Sequence, residues 1–109
     1  MARKKIPIRI KKTIDQYLEI LKKDKLLIKK AIIFGSWAKG TAHKWSDIDI
    51  CIISSSFNKK KDPLNYLWAK RIVNKNVHIE PIGFHPKDFI NENPLVWEIK
   101  KTGKIIYPA

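Results

Sequence analysis

Two aspartates separated by a single residue, Asp47 and Asp49, open a run that continues as Ile50-Cys51-Ile52-Ile53. In an extended chain successive side chains point to opposite faces. Asp47, Asp49, Cys51 and Ile53 then share one face, and Ile48, Ile50 and Ile52 the other. Two carboxylates this close are costly unless a cation stands between them. Their hard oxygens favour Mg²⁺ or Mn²⁺. Upstream, Ala31-Ile32-Ile33-Phe34 is short, apolar and β-branched, and Gly35-Ser36 stops it abruptly. A Gly-Ser turn between a strand and a short helix exposes backbone N–H groups where phosphate oxygens can dock, and the serine hydroxyl adds a donor. Glu80, on a later extended segment, completes a carboxylate cluster if the two strands are neighbours. Carboxylates, divalent cations and a phosphate-docking turn are the working parts of phosphoryl transfer. One cation lowers the pKa of an attacking hydroxyl, and a second spans the triphosphate and stabilises the leaving pyrophosphate. Taken singly, each part has an ordinary reading: a common turn, a turn-capping Asp-x-Asp, a solvent-facing strand residue. Only the combination at fixed spacing favours a site.

The elements that must hold these residues alternate along the chain. Thr13 can cap a helix carrying Ile14, Tyr17, Leu18 and Leu21 at helical spacing and ending near Asp24. The strand to Phe34 follows, then a short helix from Ser36, then the strand from Asp47 to Ile53. Asp62-Pro63 is an N-cap and first-turn pair that opens a helix with Leu64, Leu67, Trp68 and Ile72 on its packing face, ending at Asn74 to Asn76. Val77 to Phe84 reads as a third strand. Asn93-Pro94 starts another helix, with Leu95, Val96 and Ile99 inside and Gly103 as its C-terminal cap, and Ile105-Ile106-Tyr107 closes the chain as a strand. The order α-β-α-β-α-β-α-β with short connections predicts a mixed α/β (α+β) layered domain. Residues 1–12 read as a basic N-terminal arm and 13–109 as a single domain.

Composition bounds the partners. The chain has 109 residues, 44% hydrophobic and 30% charged, room for one ordinary core. No apolar run approaches the roughly 20 residues that span a bilayer, and the N-terminal stretch is no signal peptide, so the expectation is a soluble cytoplasmic protein with no membrane partner. Cys51 is the sole cysteine, which excludes an internal disulfide and a cysteine-based zinc cluster. Twenty-three Lys and Arg against 10 Asp and Glu give a net charge of +13, a field that attracts polyanions such as nucleotides or RNA, or an acidic protein. His43, His78 and His85 lack metal-ligand spacing. Trp37 and Trp45 flank the Gly-Ser turn and could stack on a base. Trp68 and Trp97 fall on helices as core or interface anchors.

The combined spacing G-S-x3-G-x5-S-D-x-D, spanning Gly35 to Asp49, resembles the signature of the DNA-polymerase-beta-like nucleotidyltransferase superfamily, and especially its minimal nucleotidyltransferase (MNT) branch. Val77 to Phe89 and Trp97 to Tyr107 look like that family's third strand and closing helix-strand, so nearly the whole chain after the basic arm is covered. The resemblance implies a polymerase-beta-like nucleotidyltransferase fold. It implies that Gly35 and Ser36 hold the β- and γ-phosphates, that Asp47 and Asp49 bind both metals, and that Glu80 stands where a third carboxylate, usually Asp, activates the acceptor hydroxyl and joins the metal set. Ser46 belongs to the nucleotide-binding signature, and Lys39, where relatives often carry Arg, would meet phosphate as a point charge rather than a fork. The implied reaction moves a nucleoside monophosphate, AMP from ATP, to a hydroxyl. The small size resembles MNT antitoxins, which act beside a helical HEPN toxin and can modify a toxin tyrosine. Two alternatives stand beside this: a catalytically weak antitoxin that works by binding in a hetero-oligomer, and a domain that binds or modifies RNA.

Overall fold

A computed structural model describes residues 6–44, 46–58, 62–71 and 78–108. The expectations for Ile72 and the Asn74 to Val77 segment fall outside them, as does Trp45. Helix α1 (Ile8–Lys23) has Pro7 at its N-cap position, six residues before the expected cap, and residues 8–12 of the presumed arm lie in it. Thr13 is interior, and its hydroxyl donates to the Arg9 carbonyl at 2.9 Å. The apolar stripe explains the earlier start: Ile10, Ile14, Tyr17, Leu18 and Leu21 are all buried, and Ile10 extends the helical period back by a full turn.

Strand β1 (Ile28–Phe34) leads through a one-turn helix α2 (Ser36–Lys39) to β2 (Ile48–Ser54). Helix α3 (Pro63–Ala69) starts as expected, with the Asp62 carboxylate accepting from Leu64 N at 3.0 Å and Pro63 in the first turn. Its packing face differs from the sequence reading: Leu67 is buried, whereas Leu64 is 54% and Trp68 39% exposed. Strand β3 (Ile79–Phe84), helix α4 (Pro94–Thr102), capped by Asn93, and β4 (Lys104–Tyr107) complete the fold. The sheet order is β3-β2-β1-β4. β1 is antiparallel to both of its neighbours, and β2 and β3 run parallel. This is the mixed α/β arrangement expected from the alternation of elements.

The alternation along β2 divides the interior. Ile48, Ile50 and Ile52 pack with Ala31, Ile33 and Ile79 against α1, Trp37 and Ala38 of α2, and Leu67 of α3. Cys51 and Ile53 face the other way, with Ile32 and Ile99 and with half-buried Phe34, Ile82, Phe84, Phe89 and Leu95 around them. Each buried isoleucine contributes roughly 1.5–3 kcal/mol, so β2 is anchored from both sides. Burial pushes the Cys51 thiol up to about 12, consistent with a small apolar core residue. Tyr17 ties α1 to α3 by donating to the Leu67 carbonyl at 2.7 Å in the core. The outer edge of β3 is sealed by side chains: Trp68 Nε1 donates to the Pro81 carbonyl at 3.0 Å, and Arg71 donates to the Ile79 carbonyl at 3.3 Å. Pro81 itself has no N–H to offer a passing strand.

Candidate active site

Phe34, the last residue of β1, pairs with Asp49, and Asp49 pairs with Glu80 across the parallel β2–β3 ladder. Neighbours in register share a face, so Asp49 and Glu80 lie side by side on the α4 face of the sheet, in line with Cys51 beside Ile82 and Ile53 beside Phe84. Asp47 lies just before β2. The start of the strand is pinned by Ile48 N donating to the His78 carbonyl at 2.8 Å. The condition set by the sequence, that the second acidic strand be adjacent and in phase, is met.

The electrostatics agree with the geometry. The Asp49 carboxyl is raised above its ordinary range, first by burial and then by the Asp47 charge, against a hydrogen bond with Glu80. Glu80 is raised too, by burial, by the charges of Asp47 and Asp49, and by hydrogen bonds to both. Asp49 and Glu80 each feel the Asp47 charge, so both retain a proton more readily than an isolated carboxyl. Among the described residues no group of three His, Cys, Asp or Glu side chains is arranged to hold a metal ion by itself.

The Gly-Ser turn abuts this cluster. Gly35 has φ 72° and ψ −151°, a region open essentially to glycine alone. A Cβ placed there would overlap the Asp49 Oδ2 and come within 3.0 Å of its Cγ. The backbone therefore passes directly against the carboxylate. Gly40, left-handed at φ 77°, ends α2 after a single turn. The spacing between the two glycines is thus one helical turn bounded by two residues of positive φ. Within that turn Trp37 and Ala38 are buried, which leaves Ser36 and Lys39 on its outward side.

Several residues expected at the site have other engagements. Trp37 is 8% exposed, with its Nε1 donating to the Ser46 carbonyl at 3.0 Å, so it is a core residue and not a base-stacking platform. Ser46 Oγ accepts from His43 N at 2.9 Å, closing the turn that delivers Asp47. Lys39 Nζ forms an ion pair with Glu98 Oε1 of α4 at 3.1 Å. Glu98 carried no motif and was missed; only its place on a helix covering the carboxylate face distinguishes it. Trp68 and Trp97 are partly exposed, stacked under Arg71 and Lys101 at 4.0 and 4.7 Å. A cavity of about 740 Å³ lies elsewhere, between α1 and β4, lined by Ile6, Ile8, Ile105 and Ile106 among others. It shares no lining residue with the carboxylate cluster.

Fold and site define a class: a layered α/β domain that presents clustered carboxylates next to a glycine turn. Residues 14–108 match the nucleotidyltransferase domain family, and the chain belongs to it. It is 32% identical over 103 residues to a "putative protein adenylyltransferase" of Methanocaldococcus jannaschii, covering 86% of this chain and 69% of that protein. Its fold is similar to the crystal structure of a "putative nucleotidyltransferase" from Sulfolobus solfataricus, with TM-score 0.58 and 22% identity over 90% of this chain and 79% of the other. Family and relative together support transfer of a nucleotidyl group. Among the described residues no helix is long and apolar enough to cross a membrane.

Proposed function

We propose that this chain transfers AMP from ATP to a hydroxyl of a partner protein, releasing pyrophosphate. The observation that carries the reading is the in-register pairing of Asp49 with Glu80 beside Gly35. The Gly35-Ser36 backbone receives the β- and γ-phosphates. Glu80 takes the proton of the acceptor hydroxyl as its oxygen bonds to the α-phosphorus and the bond to the pyrophosphate oxygen breaks. The donor set fits Mg²⁺ or Mn²⁺: the oxygens are hard, and two carboxylates suffice because such ions are completed by phosphate oxygens and water rather than by an all-protein cage. Asp47 and Asp49 would hold it, with Glu80 adjoining. When bound, it neutralises the triphosphate and favours the alkoxide form of the acceptor.

The acceptor we infer is a tyrosine of a HEPN toxin, which would make this chain its antitoxin, in the MNT branch of the family. Support comes from the protein-adenylyltransferase description of the 32%-identical relative. Incubation with α-labelled ATP, Mg²⁺ and a HEPN protein from the same genome should label that protein on tyrosine. Normal complex formation without label would refute the enzymatic version. A second reading, neutralisation by binding alone, is favoured by one observation: burial and the neighbouring Asp47 and Asp49 raise the Glu80 carboxyl above its ordinary range, so it holds its proton more readily than a free base would. Under that reading Asp47→Asn with Asp49→Asn leaves toxin neutralisation intact. Under the enzymatic reading neutralisation is lost.

A further inference from the structure

Lys39 is the outward-facing cation of the turn that begins at Gly35, three residues beyond Ser36 and therefore on the same side of that turn. In the structure its ammonium is held by Glu98. Glu98 is no stray surface residue. Helix α4 is seated by Val96 and Ile99, both fully buried, and Ile99 packs on Ile32, Cys51 and Ile53, the face of the sheet that also carries Asp49 and Glu80. The ion pair therefore reaches from the turn that follows Gly35 across to α4, the helix packed on that face. The two side chains are 43% and 50% exposed, so the contact is water-accessible and readily exchanged.

We propose that Glu98 is the counter-ion that a nucleotide polyphosphate must displace from Lys39, and that it thereby sets the affinity of the site for nucleotide. The inference rests on the nucleotide-binding reading above and extends it to a residue outside the signature. A lysine ammonium on a flexible four-carbon stem can swing from a single carboxylate to a polyphosphate carrying several negative charges. The carboxylate it leaves is hydrated at little cost because it is already half exposed. Glu98 acts through Lys39 and is a positioning residue rather than a catalytic one.

The test is a double-mutant cycle read by calorimetric titration of Mg-ATP into the full chain, with wild type, Glu98→Gln, Lys39→Gln and the double variant. For an exposed ion pair, removal of the competitor should tighten Mg-ATP binding about two- to fivefold in Glu98→Gln. Lys39→Gln should weaken it, and Glu98→Gln should have no effect in the Lys39→Gln background. The advantage of Glu98→Gln should shrink as salt rises and screens the pair. Wild-type affinity in Glu98→Gln, weaker binding in it, or an equal gain with Lys39 already replaced would each overturn the inference. Failure of wild type and every variant to take up Mg-ATP would instead remove the nucleotide reading beneath it.

Discussion

Replacing Gly35 by alanine should damage stability and chemistry together, through two separable terms. The first is backbone strain. At φ 72° and ψ −151° a residue bearing a Cβ costs about 1–3 kcal/mol. The second is steric, since the new methyl overlaps Asp49 Oδ2 and lies within 3.0 Å of Cγ, so the carboxylate must be pushed aside. Overlap of this kind costs another ~1–3 kcal/mol. Urea denaturation should therefore show Gly35→Ala less stable than wild type by at least about 2 kcal/mol. Displacing a reacting group by around 1 Å costs on the order of 100-fold in rate, so labelling of the acceptor should fall by about that factor under folding conditions. The terms separate in a cycle with Asp49→Ala. That change removes Oδ2 and Cγ and leaves only the Asp49 Cβ, 3.3 Å from the new methyl. Gly35→Ala should then cost only its strain, giving a favourable coupling of about 1–3 kcal/mol. Wild-type stability in Gly35→Ala, or strictly additive losses in the double variant, would refute the contact on which this reasoning depends.

Further outcomes follow from the site and from the core. The raised carboxyls of Asp49 and Glu80 bind protons more tightly in the folded chain than in the unfolded one. Their contribution to stability is thus fully present below the ordinary carboxylate range and is lost as pH rises through their folded values. Glu80→Gln should raise the melting temperature at pH 7 and lose that advantage near pH 3. Added Mg²⁺ should likewise stabilise wild type at pH 7 more than at pH 4, as seen by thermal melts with and without the ion. Tyr17→Phe strands the Leu67 carbonyl inside the α1–α3 interface and should lower the urea-unfolding free energy by about 1–3 kcal/mol without altering nucleotide binding.

Local chemistry made most of the scaffold readable in advance. Proline after Asp62 and after Asn93 marked two helix starts, and the run from Ile48 to Ile53 declared its two faces by period alone. The pairing of Asp49 with Glu80 was legible only as a condition, because adjacency of strands is a tertiary fact; the parallel return through α3 supplies it. Thr13 misled because a good capping residue also tolerates a helix interior, where its hydroxyl turns back to the Arg9 carbonyl. What decided the helix start was the burial of Ile10. Trp37 looked available for stacking because sequence position beside a loop says nothing of direction, and its indole points inward to Ser46. The role of Glu98 beside Lys39 was invisible, since a lone glutamate on a helix carries no spacing to recognise.

Strand β2 has no spare face: isoleucines at even positions are claimed by one layer and Cys51 with Ile53 by the other. A slip of one residue against its neighbours would bury acidic groups under α1 and turn three isoleucines toward the opposite layer. Folding thus proofreads the chemistry. A molecule that reaches the native state at all delivers its acids to the correct side, and errors of placement are discarded as misfolded chains before they could persist as inactive ones.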